Sequence, residues 1–124
     1  MMCQVRLWLP DHELVLVTDG GLAAIETGHR GINFRKPVRY ASRLRLDANL
    51  YAAPQPKPAS QPGPQPGVGT QLPSPQDLLD DPNTIWDLHE VDWYGGERRL
   101  IETTTGVALW YSKGQQPLPI RYIV

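Results

Sequence analysis

Apolar and polar positions change rhythm three times along the first half of the chain. Leu14-Val15-Leu16-Val17-Thr18 is an unbroken apolar, mostly β-branched run that stops at Asp19-Gly20-Gly21. A run this short, bounded by a turn signal, predicts a strand buried on both faces of an α/β sheet. Leu22-Ala23-Ala24-Ile25-Glu26-Thr27, closed by Gly28, predicts a short helix with a glycine stop. From Pro37 to Leu46 the pattern switches to period two. Val38, Tyr40, Ser42, Leu44 and Leu46 fall on one face, and Arg39, Ala41, Arg43 and Arg45 on the other. Ahead of the first strand, Gln4 to Leu9 fits helix or strand equally, and Pro10 to Glu13 reads as a polar turn.

A second regime runs from Ala52 to Pro75. It holds eight of the thirteen prolines, with Gly, Gln and Ser supplying most of the rest. Such a segment has little apolar surface to offset its ordering entropy and predicts an extended, weakly ordered linker. No two of its prolines stand three apart, so the PxxP spacing read by polyproline-binding domains is missing.

The third regime, residues 76–124, is predicted to be mostly β. Ser74 and Pro75 first open a short helix as cap and first helical residue, and Asp80-Asp81-Pro82-Asn83 ends it. Two aromatic and β-branched runs, Thr84 to Tyr94 and Glu97 to Tyr111, are joined by Gly95-Gly96, a two-residue hairpin signal. Gly106 marks a bulge or a break within the second run. Ser112 to Pro119 is a turn before a last strand ending at Val124. The chain starts close to its first strand and stops inside a hydrophobic one, so the expectation is a piece of a longer protein.

Composition narrows the setting. A chain of 124 residues suits one domain. A single cysteine, Cys3, excludes an intrachain disulfide and fits a reducing compartment. No apolar run approaches the ~20 residues that span a bilayer, and residues 1–10 lack a signal-peptide pattern. The expected location is cytoplasmic. Net charge is −1, but its distribution is uneven. Arg30 to Arg45 carries six basic residues and no acidic one, which favours a polyanion such as DNA over a plain solvated face. The alternative, a charged face that guards a sheet edge, remains open at this point. The half after residue 84 is acidic, which argues against a broad DNA face there.

Candidate chemistry concentrates at Asp19. In α/β sheets, functional groups sit at the carboxyl ends of strands, and Asp19 holds that position. It could equally cap the following helix or begin an Asp-Gly hairpin turn. His12, His29 and His89 lie at no usable metal spacing, and adjacent Asp80 and Asp81 beside Pro82-Asn83 read as a solvated turn. Trp86, Trp93, Trp110, Tyr94 and Tyr111 could stack bases, but spacing of this kind usually makes core and cross-strand pairs. There is no GxxxxGK[ST] phosphate loop and no G-x-S-x-G elbow.

Five segments, in order, resemble the catalytic domain of insertion-sequence DDE transposases. They are Val15-Leu16-Val17-Thr18-Asp19-Gly20-Gly21-Leu22-Ala23-Ala24, Ser42-Arg43-Leu44-Arg45-Leu46-Asp47-Ala48, Trp93-Tyr94-Gly95-Gly96-Glu97-Arg98-Arg99, Gly106 to Tyr111, and Gly114 to Tyr122. The resemblance implies a fragment of a ribonuclease-H-like core, strand-helix-strand, over residues 1–51. A Pro-rich linker, 52–75, and a mostly antiparallel β insertion, 76–124, would follow. It also implies that Asp19 is the second of three catalytic carboxylates and a ligand of Mg²⁺, for which Mn²⁺ could substitute. The first aspartate and the final glutamate have no matching motif in this chain. Arg39, Arg43 and Arg45 would contact DNA, the transposon ends and the target. Other transposase subunits would be partners in a homo-oligomer. The alternative is a non-catalytic remnant that binds DNA weakly or pairs with intact subunits.

Overall fold

The computed structural model describes residues 1–20 and 23–124. Gly21 and Leu22, the second glycine of the expected turn and the expected start of the helix, lie outside the described residues. Among the described residues, three α-helices and eight strands follow one another as α1 (Met2–Trp8), β1 (Leu14–Thr18), α2 (Ile25–Ile32), β2 (Val38–Ser42), β3 (Leu50–Tyr51), β4 (Gln71–Leu72), α3 (Pro75–Asp80), β5 (Asp87–Asp92), β6 (Arg98–Thr103), β7 (Thr105–Trp110) and β8 (Leu118–Ile123). The architecture is mixed α/β.

β1 and β2 pair in parallel, Leu14 opposite Val38 through Thr18 opposite Ser42, with α2 as the crossover between them. The expected strand at Leu14–Thr18 is present with those bounds. Its two-sided burial is not. Leu14 and Leu16 are half-buried, whereas Val15 and Val17 are 56% and 74% exposed. α2 packs on one side of this two-stranded sheet. Among the described residues the other side has no comparable cover, so the strand behaves as a one-faced one.

The helix also differs from its expected span. It runs through Gly28 to Ile32, and Gly28 is an interior residue, not a stop. Tertiary packing explains the choice. A Cβ on Gly28 would lie 2.3 Å from Leu118 Cδ2, and one on Gly31 would lie 2.9 Å from the Val38 carbonyl oxygen. Both glycines let α2 approach its neighbours closely, β8 at the first and β2 at the second. His29, expected beyond the helix, sits inside it and faces the Gln116 carbonyl oxygen at 2.9 Å.

α1 settles the ambiguity at Gln4–Leu9 in favour of helix. Arg6, buried at 8% exposure, holds it in place. Its Nη1 donates to the carbonyls of Leu9 (3.0 Å), Pro10 (3.4 Å) and His12 (2.8 Å), and its Nη2 to Pro37 (3.3 Å). One guanidinium thus ties the end of α1 to the segments that enter β1 and β2, satisfying carbonyls that sequence spacing did not relate.

The remaining sheet has the order β4-β3-β7-β8, antiparallel throughout, and β5 and β6 form a separate hairpin. The Pro-rich stretch is closed at its base. Leu50 and Tyr51 pair with Leu72 and Gln71, and Ala52 and Thr70 continue the contact through an N–H···O bond of 2.8 Å. β4 lies inside the range expected to be irregular. α3 itself matches expectation: Ser74 Oγ accepts from the Asp77 amide while the Asp77 carboxylate accepts from the Ser74 amide, a reciprocal capping box. The break in the second β run falls at Thr104 and not at Gly106, which is inside β7 under the Tyr122 ring. The β5–β6 loop is wider than Gly95-Gly96. Asp92 pairs with Arg98, and the turn between them carries Gly95 and Gly96 in the left-handed region, at φ 78° and 79°.

The buried apolar residues among those described are few: Ile25, Val38, Ala48, Leu50, Ala108 and Leu118. They come from α2, β2, β3, β7, β8 and the turn before β3, so the core is the junction where α2 meets both sheets.

Candidate functional site

Because β1 and β2 are parallel, their carboxyl ends lie side by side. Asp19 follows the last residue of one and Arg43 the last residue of the other. A hydroxyl chain ties these ends together. Thr18 Oγ1 donates to Ser42 Oγ at 3.0 Å, and Ser42 Oγ donates to the Asp19 backbone carbonyl at 2.9 Å. Gly20 lies against the Arg43 backbone, whose carbonyl oxygen would be 3.6 Å from a Cβ at that position. The Asp19 side chain is exposed.

Asp19 is neither the cap of α2 nor part of a hairpin turn. The residue that caps α2 is Ala24, with no side-chain capping bond. The strand after Asp19-Gly20 returns in parallel through a helix, so the dipeptide is not a hairpin turn. Asp19 stands at the mouth of a parallel strand pair, where a carboxylate can accept hydrogen bonds or give one oxygen ligand to a cation.

The arginine face is only partly available. Arg39 Nη2 lies 2.6 Å from Glu13 Oε1. Arg45 makes two bonds to Asp47, Nε to Oδ1 at 2.7 Å and Nη2 to Oδ2 at 2.8 Å. That fork-shaped hydrogen bonding, with the attraction between the charges, raises the Arg45 pKa; the same hydrogen bond holds the Asp47 carboxyl below its usual range. Asp47 stands two residues beyond Arg45, so this pairing was visible in the sequence; that of Arg39 with Glu13 was not. Arg43 is exposed and has no carboxylate partner among the described residues. β2 also ends at Ser42, and Leu46 is 49% exposed, so the alternation expected through Leu46 stops short.

A cleft of about 770 Å³ opens between β2 and β8. Ala23, Gly28 and Ile32, from α2 and the residues before it, contribute to its wall, and so do Arg39, Arg43 and Arg121. Sequence reasoning missed this cleft, because it joins segments eighty residues apart along the chain.

The metal requirement implied for Asp19 is not met by this chain alone. Among the described residues no group of three or more His, Cys, Asp or Glu side chains is placed to hold an ion. A single carboxylate supplies one of the six oxygen ligands that Mg²⁺ takes, so no chemical step is derived through a metal here. Asp80 ends α3 and accepts from Gln76 one turn earlier at 3.0 Å, and Asp81, just past the helix, accepts from the Asn83 amide through Oδ1 at 2.9 Å. The five aromatics do not gather. Tyr51 and Tyr111 meet edge to face at 5.7 Å, Trp93 and Tyr94 do so at 5.6 Å at the exposed hairpin tip, and Arg99 lies over Trp93 at 5.3 Å. No helix among the described residues is long and apolar enough to cross a membrane. No family model, no curated protein and no solved structure matches this chain.

Proposed function

We propose that this chain is a piece of a DDE-type DNA transposase catalytic domain, and that its strand-helix-strand unit belongs to a ribonuclease-H-like core. The observation that carries the proposal is the position of Asp19: exposed, at the carboxyl end of a parallel strand, side by side with Arg43. Carboxylates that hold catalytic Mg²⁺ need such a place, where a rigid strand fixes the backbone and the side chain is open to a DNA phosphate. Arg43 supplies an uncompensated guanidinium whose planar fork suits phosphate oxygens.

The whole enzyme would cut and join DNA strands by phosphoryl transfer. Mg²⁺ held by the three carboxylates of the whole enzyme would supply the Lewis acidity that such transfer needs. Asp19 would be one ligand, and the other two carboxylates would come from sequence outside this chain. Among the described residues no second or third carboxylate joins Asp19 in a group able to hold an ion. For the isolated chain this favours the non-catalytic reading, a weak DNA-binding or subunit-pairing module.

The test is a DNA-cleavage assay on the product with its flanking coding sequence restored. Asp19→Asn keeps the side-chain size and removes the charge, so Mg²⁺-dependent cleavage should collapse while DNA binding survives. Arg43→Ala should instead weaken binding and flatten its salt dependence by roughly one unit of slope. Undiminished cleavage by Asp19→Asn refutes the assignment.

A further inference from the structure

The cleft between β2 and β8 is walled by strand edges. Every residue from Pro37 to Leu44 and from Leu118 to Val124 lines it, whichever sheet face its side chain takes. Each strand is paired on one side only, β2 with β1 and β8 with β7. The hydrogen-bond parity of β8 identifies what its open edge offers. Thr104 and Val124 exchange both N–H···O bonds, at 3.0 and 2.9 Å. Alternation then directs the backbone of Tyr122, Ile120 and Leu118 toward β7, and that of Pro119, Arg121 and Ile123 toward the cleft. Pro119 therefore falls where its missing N–H disturbs no existing pair. Arg121 and Ile123 are exposed, and Ile123 is 70% so.

The same chain carries an element that fits this edge. The β5–β6 hairpin is a free-standing two-stranded ribbon, marginal by itself in water. It exposes Leu88 at 63% and Leu100 at 68%, and residues 87–103 hold five carboxylates against two arginines. The Trp93 amide donates to the Glu97 carbonyl at 2.6 Å. By the same alternation, the backbone of Leu88, Glu90 and Asp92 faces away from β6.

We propose that two copies of this chain associate by adding β5 of one to the open edge of β8 of the other, antiparallel, with Glu90 opposite Arg121. That register sets Leu88 against Ile123, an apolar pair, and brings Asp92 to Pro119, whose carbonyl accepts its amide. Glu90 and Asp92 share one arginine, Arg98, at 3.6 and 3.7 Å within the hairpin, so Arg121 adds the cation that this acidic strand is short of, and both edges gain hydrogen-bond partners. DNA is the less suitable occupant, because interfaces with DNA are polar and strongly positive and this cleft is mostly apolar between its three arginines. The inference deepens the subunit-pairing reading given above by naming its surface; its readout is mass, so its failure is distinguishable from failure of the cleavage test.

Sedimentation equilibrium over a concentration series tests it. The wild-type chain should self-associate, more weakly as salt rises. Arg121→Glu places like charges opposite each other and should weaken association roughly tenfold. Glu90→Lys should do the same from the other side. Mixing the two variants restores opposite charges across the contact and should restore assembly, which also certifies that both variants are folded. A wild-type chain that stays monomeric throughout overturns the proposal. So does a mixture that assembles no better than either variant alone. Loss of duplex-DNA binding by Arg121→Glu with unchanged assembly would make the cleft a nucleic-acid face and equally refute it.

Discussion

The close approach of α2 to β8 can be measured by adding one methyl group. Gly28→Ala should gain about 1 kcal/mol from helix propensity if nothing else changed. The added Cβ, however, would stand 2.3 Å from Leu118 Cδ2, with Cδ1 and Cγ of the same side chain at 3.2 and 3.3 Å. Carbon atoms prefer separations near ~3.5–4.0 Å, so the overlap exceeds an ångström at one atom. Leu118 is 4% exposed and cannot turn into solvent to make room. Forcing a methyl into a packed site costs ~1–3 kcal/mol, which leaves a net destabilisation of about 0–2 kcal/mol. Leu118→Ala alone should cost ~2–5 kcal/mol. In the double variant the new methyl partly fills the vacated space, so the two costs should fall short of additive by ~1 kcal/mol or more. Urea denaturation followed by tryptophan fluorescence gives all four corners of the cycle. A Gly28→Ala protein stabilised by the full helix-propensity gain, with additive behaviour alongside Leu118→Ala, would show that α2 does not rest on β8 and refute the packing argument.

Other outcomes follow from the same geometry. Gly31→Ala meets the Val38 backbone carbonyl, which has no rotamer to change, so it should destabilise more than Gly28→Ala in the same denaturation assay. Hydrogen bonds from Ser74, side chain first and then backbone, lower the Asp77 pKa. A depressed folded-state pKa gives stability that is present above the unfolded carboxylate pKa and lost as pH falls through the folded value. Acidification through and below the ordinary carboxylate range should therefore fray α3, and amide shifts of residues 74–81 in an NMR titration would report it. Arg6→Met should keep much of the apolar stem but remove the charged donor to the carbonyls of Leu9, His12 and Pro37, lowering Tm by several degrees for the ~1–3 kcal/mol that lost charged hydrogen bonds cost. Brief digestion with a nonspecific protease should cut first between Ala53 and Val68, where no strand or helix forms; a first cut within α2 or β7 would count against this.

Local chemistry made some of these features legible and hid others. Leu14–Thr18 and the Ser74–Pro75 helix start were readable because a turn signal or a cap stands beside each in sequence. The placement of Asp19 at a strand end followed from the same punctuation. Gly28 misled because glycine is both a helix stop and a close-contact residue, and only β8, ninety residues later, decides between the two. The solvent exposure of Val15 and Val17 was hidden because an apolar run does not state how many of its faces find cover. Arg6 carries no periodic signal at all: its partners are backbone carbonyls, which every residue has.

Leu50 shows what the fold asks of the chain in time. It is the one fully buried large side chain among the described residues, and it sits on a strand of two residues that pairs with Leu72 on one side and Trp110 on the other. The β7–β8 hairpin closes locally, over the Ser112–Pro117 turn. Joining Leu50 to Trp110 closes a loop of about 60 residues, at an entropic cost near ~3.6 kcal/mol in the logarithmic chain model. That cost must be met before the contact returns anything, so β3 should dock after the hairpin is formed. Truncation at Leu50 should then speed unfolding with little effect on the folding rate, whereas changes in the β7–β8 turn should act on folding itself. The residue most central to the finished core is one of the last to arrive there.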